Sequence, residues 1–142
     1  MTDSQSTGIA GDSTAASELP SPAEYAAVRD ILERYIKGSY TGHVPVLRDI
    51  FHPAALMAGY LDGALDVGSP EPFYAELEEA ASAEATGEAY AAEISSIRLV
   101  GMIASAEIVE RNLLGHNYVN HFLLIETEGV WRIVAKTYTT VV

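Results

Sequence analysis

The chain is 142 residues long, carries 20 acidic against 8 basic side chains for a formal net charge of −12, and contains no cysteine. That length gives room for one domain around one core. The charge repels phosphate backbones and anionic lipid, so neither nucleic acid nor a membrane is expected as a partner, and without cysteine there are no disulfides, thiolate nucleophiles or zinc–thiolate sites.

Residues 1–21 are rich in Ser, Thr, Gly and Asp and hold too few large apolar side chains to offset the entropy of ordering them. They read as a disordered tail ahead of a domain over residues 22–142. The start lacks the basic and apolar regions of a secretory signal, and no apolar run approaches the roughly 18 residues of a spanning helix, so a cytoplasmic location is expected.

From Pro22 onward Tyr25, Val28, Ile31, Leu32, Tyr35 and Ile36 recur at the spacing of one helical face, and the helix should end between Gly38 and Gly42. A second short helix is expected from Pro45, containing Val46, Leu47, Ile50 and Phe51 and closed by His52-Pro53. The segment from Ala54 to Gly68 reads as a hairpin turning at Asp62-Gly63. Ser69-Pro70 then opens a third helix, with Phe73, Leu77, Ala80 and Ala81 on its apolar side, running into Ala85–Glu88.

After Gly87 the period changes to that of strands, in four long runs separated by Gly101, Gly115 and Thr127-Glu128-Gly129. Separators this short join strands that pair antiparallel. Three helices with an early hairpin, followed by a curled four-strand meander, make an α+β domain.

Two segments, RYIKGSYTGHVPVLRDIFHPAALMAG at 34–59 and YVNHFLLIETEGVWRIVAKTY at 118–138, resemble the bacterial family called putative lumazine-binding. That family lies within the nuclear transport factor 2 (NTF2)-like superfamily, with the ketosteroid isomerases and SnoaL-like polyketide cyclases. The resemblance covers about Ala23 to Tyr138. It implies a cone-shaped α+β fold, three N-terminal helices on a curled, mainly antiparallel sheet, one pocket for a small molecule, and a homodimer joined sheet to sheet.

In ketosteroid isomerase a tyrosine and a protonated aspartic acid hold the enolate oxygen while a second carboxylate moves the proton. By the same resemblance Tyr35 falls at the tyrosine's place and Asn120 at the protonated acid's. The carboxylate base should fall where this chain has Gly59, so a steroid-isomerase proton shuttle is not supported. Tyr60 and Asp62 stand near the expected mouth, with Asp62 a candidate base, although Asp62-Gly63 is more simply turn chemistry.

Alternation along the strand places His116, Tyr118, Asn120, Phe122 and Leu124 on one face. If Asn120 faces the cavity, Tyr118, His116 and Phe122 line it. Tyr35 also fits an ordinary core position on its apolar stripe, and Phe122 and Trp131 fit the core, whereas a strand amide is costly when buried without partners. His116 is the one histidine with a place for acid–base work. His52 suits the end of its helix.

The four histidines show no helical metal-ligand spacing, and no P-loop, dinucleotide turn or Ser-His-Asp set is visible, so neither a metal nor a cofactor is expected. The candidate ligand contacts are therefore Tyr35, Tyr60, Tyr118, Asn120 and Phe122, and the candidate proton carriers Asp62 and His116. They point to a pocket for a largely apolar molecule bearing a carbonyl or hydroxyl. An isomerase, dehydratase or hydratase acting on a small carbonyl compound is one alternative, and a non-catalytic structural or protein-interaction dimer is another.

Overall fold

The computed structural model describes residues 19–142, and most of the expected tail lies outside them. The first helix, α1 (Pro22–Thr41), starts at a capping box. Ser21 accepts a hydrogen bond from the Glu24 amide, and the Glu24 carboxylate accepts one from the Ser21 amide. Val28, Ile31, Leu32, Tyr35, Gly38 and Ser39 form its buried stripe, and Gly42 at φ 71° ends it. Tyr25 is 39% exposed and lies outside the core.

Helix α2 (Val44–Ile50) stops earlier than expected, because Phe51 already has extended backbone and opens β1 (Phe51–Leu61). His52-Pro53 therefore belongs to a strand and does not close a helix. The residue before proline is pushed out of the helical region, and Pro53 falls where the pairing of β1 with its neighbour is interrupted, between Phe51 and Leu56. At that place a missing N–H breaks no ladder bond.

The hairpin to β2 (Ala64–Gly68) turns on Asp62 and Gly63, both at positive φ, 50° and 84°, the geometry of a type I′ turn. Helix α3 (Glu71–Glu79) buries Tyr74 and Leu77. It does not run on into Ala85–Glu88. Ala80 is extended, and Ser82 caps a separate single turn, α4 (Ala83–Thr86), so Ala80 and Ala81 are exposed.

The meander follows as β3 (Ala91–Val100), β4 (Ile103–Leu113), β5 (His116–Thr127) and β6 (Val130–Val141). Consecutive strands pair antiparallel, and β6 returns to lie parallel to β1, giving one six-stranded sheet in the order β2-β1-β6-β5-β4-β3. The sheet is curled and unclosed, with helices α1, α2 and α3 packed on it, so the α+β arrangement stands as expected. Its core joins Leu32, Leu47 and Ile50 of the helices to Ile108, Phe122, Leu124 and Ile133 of the strands. Among the described residues no helix is long and apolar enough to cross a membrane.

Candidate functional site

Among the described residues, four polar side chains lie inside this core or at its edge: Ser39, Glu110, Asn120 and Lys136. Three of them meet around Tyr35. Glu110 continues the inward row Ala104, Ala106, Ile108 of β4 and has no exposed surface. Its carboxylate accepts three hydrogen bonds: from the Tyr35 hydroxyl (3.0 Å), from the Tyr90 hydroxyl (2.7 Å) and from Asn120 Nδ2 (3.0 Å). Asn120 also donates to the Ile108 carbonyl at 3.2 Å, so both bonds fix which end of its amide points at Glu110.

Lys136 reaches the same group by an irregularity of β6. The pairing of β5 with β6 steps from Leu124↔Ile133 to Leu123↔Ala135, leaving Val134 as an extra residue. Such a bulge reverses the alternation beyond it, so Trp131 and Ile133 face inward and then Lys136 does too. Its ammonium donates to the Tyr35 hydroxyl at 2.8 Å. It also stands 4.4 Å from the centre of the Phe73 ring, 4.9 Å from that of Tyr35 and 5.4 Å from that of Tyr138, within cation–π range of all three.

Lys136 is the point at which this buried network opens to a cavity of about 250 Å³. The walls are largely apolar, with Met57, Phe73, Leu113, Tyr118 and Tyr138 prominent, while Asp66 and Glu76 add carboxylates. Sites for drug-sized ligands typically run from about 300 to 1,000 Å³, so this one suits a smaller molecule. A second, shallower depression of about 630 Å³ lies between α3 and the β4–β5 turn, where Glu76, Glu79 and Glu88 make its lining acidic.

Burial pushes the Tyr35 phenol well above its usual pKa, and the Glu110 charge adds to that effect. Tyr90 is raised for the same two reasons. Burial pulls Lys136 down to about 8, against the opposing pull of Glu110 and Glu76. On the cavity wall burial raises Tyr118 to about 12, and raises Tyr138 as well. The phenols thus remain donors at neutral pH, while the amine is poised between its two forms.

Of the residues singled out from sequence, Tyr35 and Asn120 do come together, but on the Glu110 carboxylate. Phe122 is fully buried with its ring edge-on to Tyr35, their centroids 4.9 Å apart. Tyr118 lines the cavity; Tyr60 is 48% exposed on β1 and does not. Asp62 and His116 meet each other, Nε2 to Oδ2 at 3.0 Å, where the Asp62-Gly63 turn meets the start of β5. Neither lines the cavity.

Sequence reasoning missed Glu110, Lys136 and Tyr90. Glu110 had a signal, a carboxylate in phase with the apolar row of its strand; Lys136 had none, because strict alternation places it on the outer face. Gly59 has its explanation in packing. A β-carbon there would collide with the Tyr138 carbonyl oxygen and stand 2.7 Å from the Tyr138 ring, so this position of β1 holds no side chain. Among the described residues no group of three potential ligands is arranged to hold a metal ion.

A family model described as "Putative lumazine-binding" matches residues 23–139. Among solved structures, the chain is similar to an NTF2-like protein of unknown function from Shewanella baltica, at 26% identity and TM-score 0.78 over 87% of this chain and 98% of that one. A second NTF2-like protein of unknown function, from Silicibacter pomeroyi, matches at 29% identity and TM-score 0.77, over 87% of this chain and all (100%) of that one. A third, from Methylobacillus flagellatus, shares the fold at 21% identity and TM-score 0.75, over 87% of this chain and 96% of that one. No curated protein matches.

Proposed function

The chain belongs to the putative lumazine-binding family, within the NTF2-like fold, and from that premise we propose that it binds a small, largely apolar organic molecule through a carbonyl or hydroxyl oxygen. The observation that carries the reading is Lys136. A cation is placed at the wall of an otherwise mostly apolar cavity and is bonded on its inner side to the Tyr35–Glu110 group. In such a site one polar head orients the ligand and the apolar walls supply most of the affinity. Tyr35 and Asn120 act behind Lys136: Asn120 and Tyr90 hold Glu110, Glu110 holds the Tyr35 hydroxyl, and that hydroxyl holds the amine.

The test is a titration of the full chain with benzyl alcohol followed by NMR. Perturbations should concentrate at Phe73, Leu113, Tyr118 and Tyr138, and Lys136→Met should weaken binding about tenfold, the loss of one buried hydrogen bond. Unchanged affinity in that variant, or perturbations confined elsewhere, would overturn the reading.

One contact favours a second reading, proton transfer on a small carbonyl compound as in an isomerase, dehydratase or hydratase. Asp62 and His116 form an acid–base pair at 3.0 Å. Their side chains are 70% and 34% exposed and stand outside the cavity lining, so binding takes precedence over catalysis by this pair. We also propose that two copies pair through the sheet face that carries no helices.

A further inference from the structure

The chain has two lysines, Lys37 and Lys136. Lys37 is exposed on α1; Lys136 is 4% exposed and has its head at the cavity wall. On its inner side Nζ donates to the Tyr35 hydroxyl at 2.8 Å, which donates in turn to Glu110 at 3.0 Å. A proton can leave Nζ for the phenol oxygen as the phenol's own proton passes to the carboxylate. Tyr35 ends unchanged, and the proton is held on the inner side of the amine while the Nζ lone pair is left free on the cavity side.

We propose that Lys136 is an amine nucleophile that condenses with a small apolar aldehyde or unhindered ketone held in this cavity. The proposal rests on the binding reading above and names the class of ligand. The Nζ lone pair forms a bond to the carbonyl carbon, and the π pair moves to oxygen, which takes up a proton from the nitrogen to give a carbinolamine. The second N–H proton and the hydroxyl then leave as water and a C=N bond remains, so no oxidant, reductant or cofactor is consumed.

A neutral carbonyl suits the cavity better than an acid does. Asp66 and Glu76 share the lining with Lys136, so a carboxylate ligand would meet their two negative charges. Around Nζ stand Tyr35 from α1, Phe73 and Glu76 from α3, Glu110 from β4 and Tyr138 on its own strand, while Asp66 of β2 and Tyr118 of β5 share the cavity lining. With Lys136 lowered to about 8, about one molecule in ten carries the free amine at pH 7, against about three in ten thousand for an ordinary lysine.

The experiment treats the full chain at pH 7 with benzaldehyde and cyanoborohydride, which reduces an imine to a stable amine, and maps the product by peptide mass spectrometry. Lys136 should be modified at least tenfold faster than Lys37, with a rate that rises between pH 7 and 8 and then levels. Tyr35→Phe, which interrupts the proton path, should slow Lys136 and leave Lys37 unaltered. Benzyl alcohol, of similar shape but no electrophile, should protect Lys136. If benzyl alcohol still binds at the cavity while Lys136 stays unmodified or reacts no faster than Lys37, the imine is overturned and the binding reading stands. If neither compound engages the cavity, both fall.

Discussion

A lysine that is 4% exposed needs a counter-charge, and Lys136 has Glu110 through the oxygen of Tyr35, with Glu76 adding a weaker pull. Its pKa records the balance, about 8 against an ordinary 10.5, with desolvation the larger influence and Glu110 opposing it. Between those values the unfolded chain holds a proton that the folded chain has released, so stability rises with pH through that window. Below pH 8 the folded state carries the full cost of the buried charge, about 3 kcal/mol. Above pH 10 the raised phenols of Tyr35, Tyr90 and Tyr118 act in the opposite direction. Urea unfolding of wild type and Lys136→Met at pH 7.5 and 9.5 should therefore show wild type gaining about 2 kcal/mol relative to the variant. A constant difference between the two would mean that Lys136 titrates as an exposed lysine does. At this scale the sequence was half legible. Tyr35 and Asn120 stood out as polar groups in apolar rows, but the carboxylate that unites them lies 75 residues from the tyrosine in sequence, and periodicity carries no information about such a pairing.

The elements were more legible than their junctions. Glycine-containing two-residue turns at Asp62-Gly63, Leu114-Gly115 and Glu128-Gly129, all at positive φ, fix the hairpins; Asp62-Gly63 can be read directly from residue types, whereas at the second turn only Gly115 gives a signal and the turn lies at Leu114-Gly115, with His116 and Asn117 already in β5. The errors fall where one element hands over to the next, as at Phe51 and Ala80: Pro53 excludes His52 from the helical region, so the helix cannot run past Phe51, and the Ser82 cap starts a separate turn beyond Ala80. The Val134 bulge is a register event between two strands, and no single-strand pattern contains it. Gly59 was legible as an absence and became intelligible only once β1 lay beside β6, with Gly59 opposite Tyr138. Substitution Gly59→Ala should destabilise the protein by about 3 kcal/mol, the upper range for an overpacked site, since the obstructing atom is backbone. Gly68→Ala, in the partner strand with open space around it, should stay within about 0.5 kcal/mol. Comparable urea midpoints for the two variants would show that the β1–β6 contact yields more readily than its geometry implies.

At the scale of the whole molecule, helices cover one face of the sheet and leave the other open. That open face presents Val119, His121 and Leu123 of β5 beside Ser105, Glu107 and Val109 of β4 and Ala135, Thr137 and Thr139 of β6. Leu123 is 54% exposed there, while His121 and Glu107 approach to 3.7 Å. A broad, partly apolar sheet face is the kind of surface that a second copy covers, and in a two-fold pairing Leu123 of each copy lies against the same patch of its partner. Leu123→Glu should then convert a dimer to a monomer in sedimentation equilibrium, without loss of folded structure, because the side chain takes no part in the core. Charge sets the salt dependence of the same equilibrium. Two copies at −12 each repel, and screening that repulsion favours association, so the dimer should tighten between about 0.05 and 0.5 M salt. Dimerisation that weakened with salt would point to ion pairs across the interface, the His121–Glu107 neighbourhood first among them. A wild-type chain that stayed monomeric at every salt and protein concentration would leave this sheet face uncovered and the proposed pairing without support.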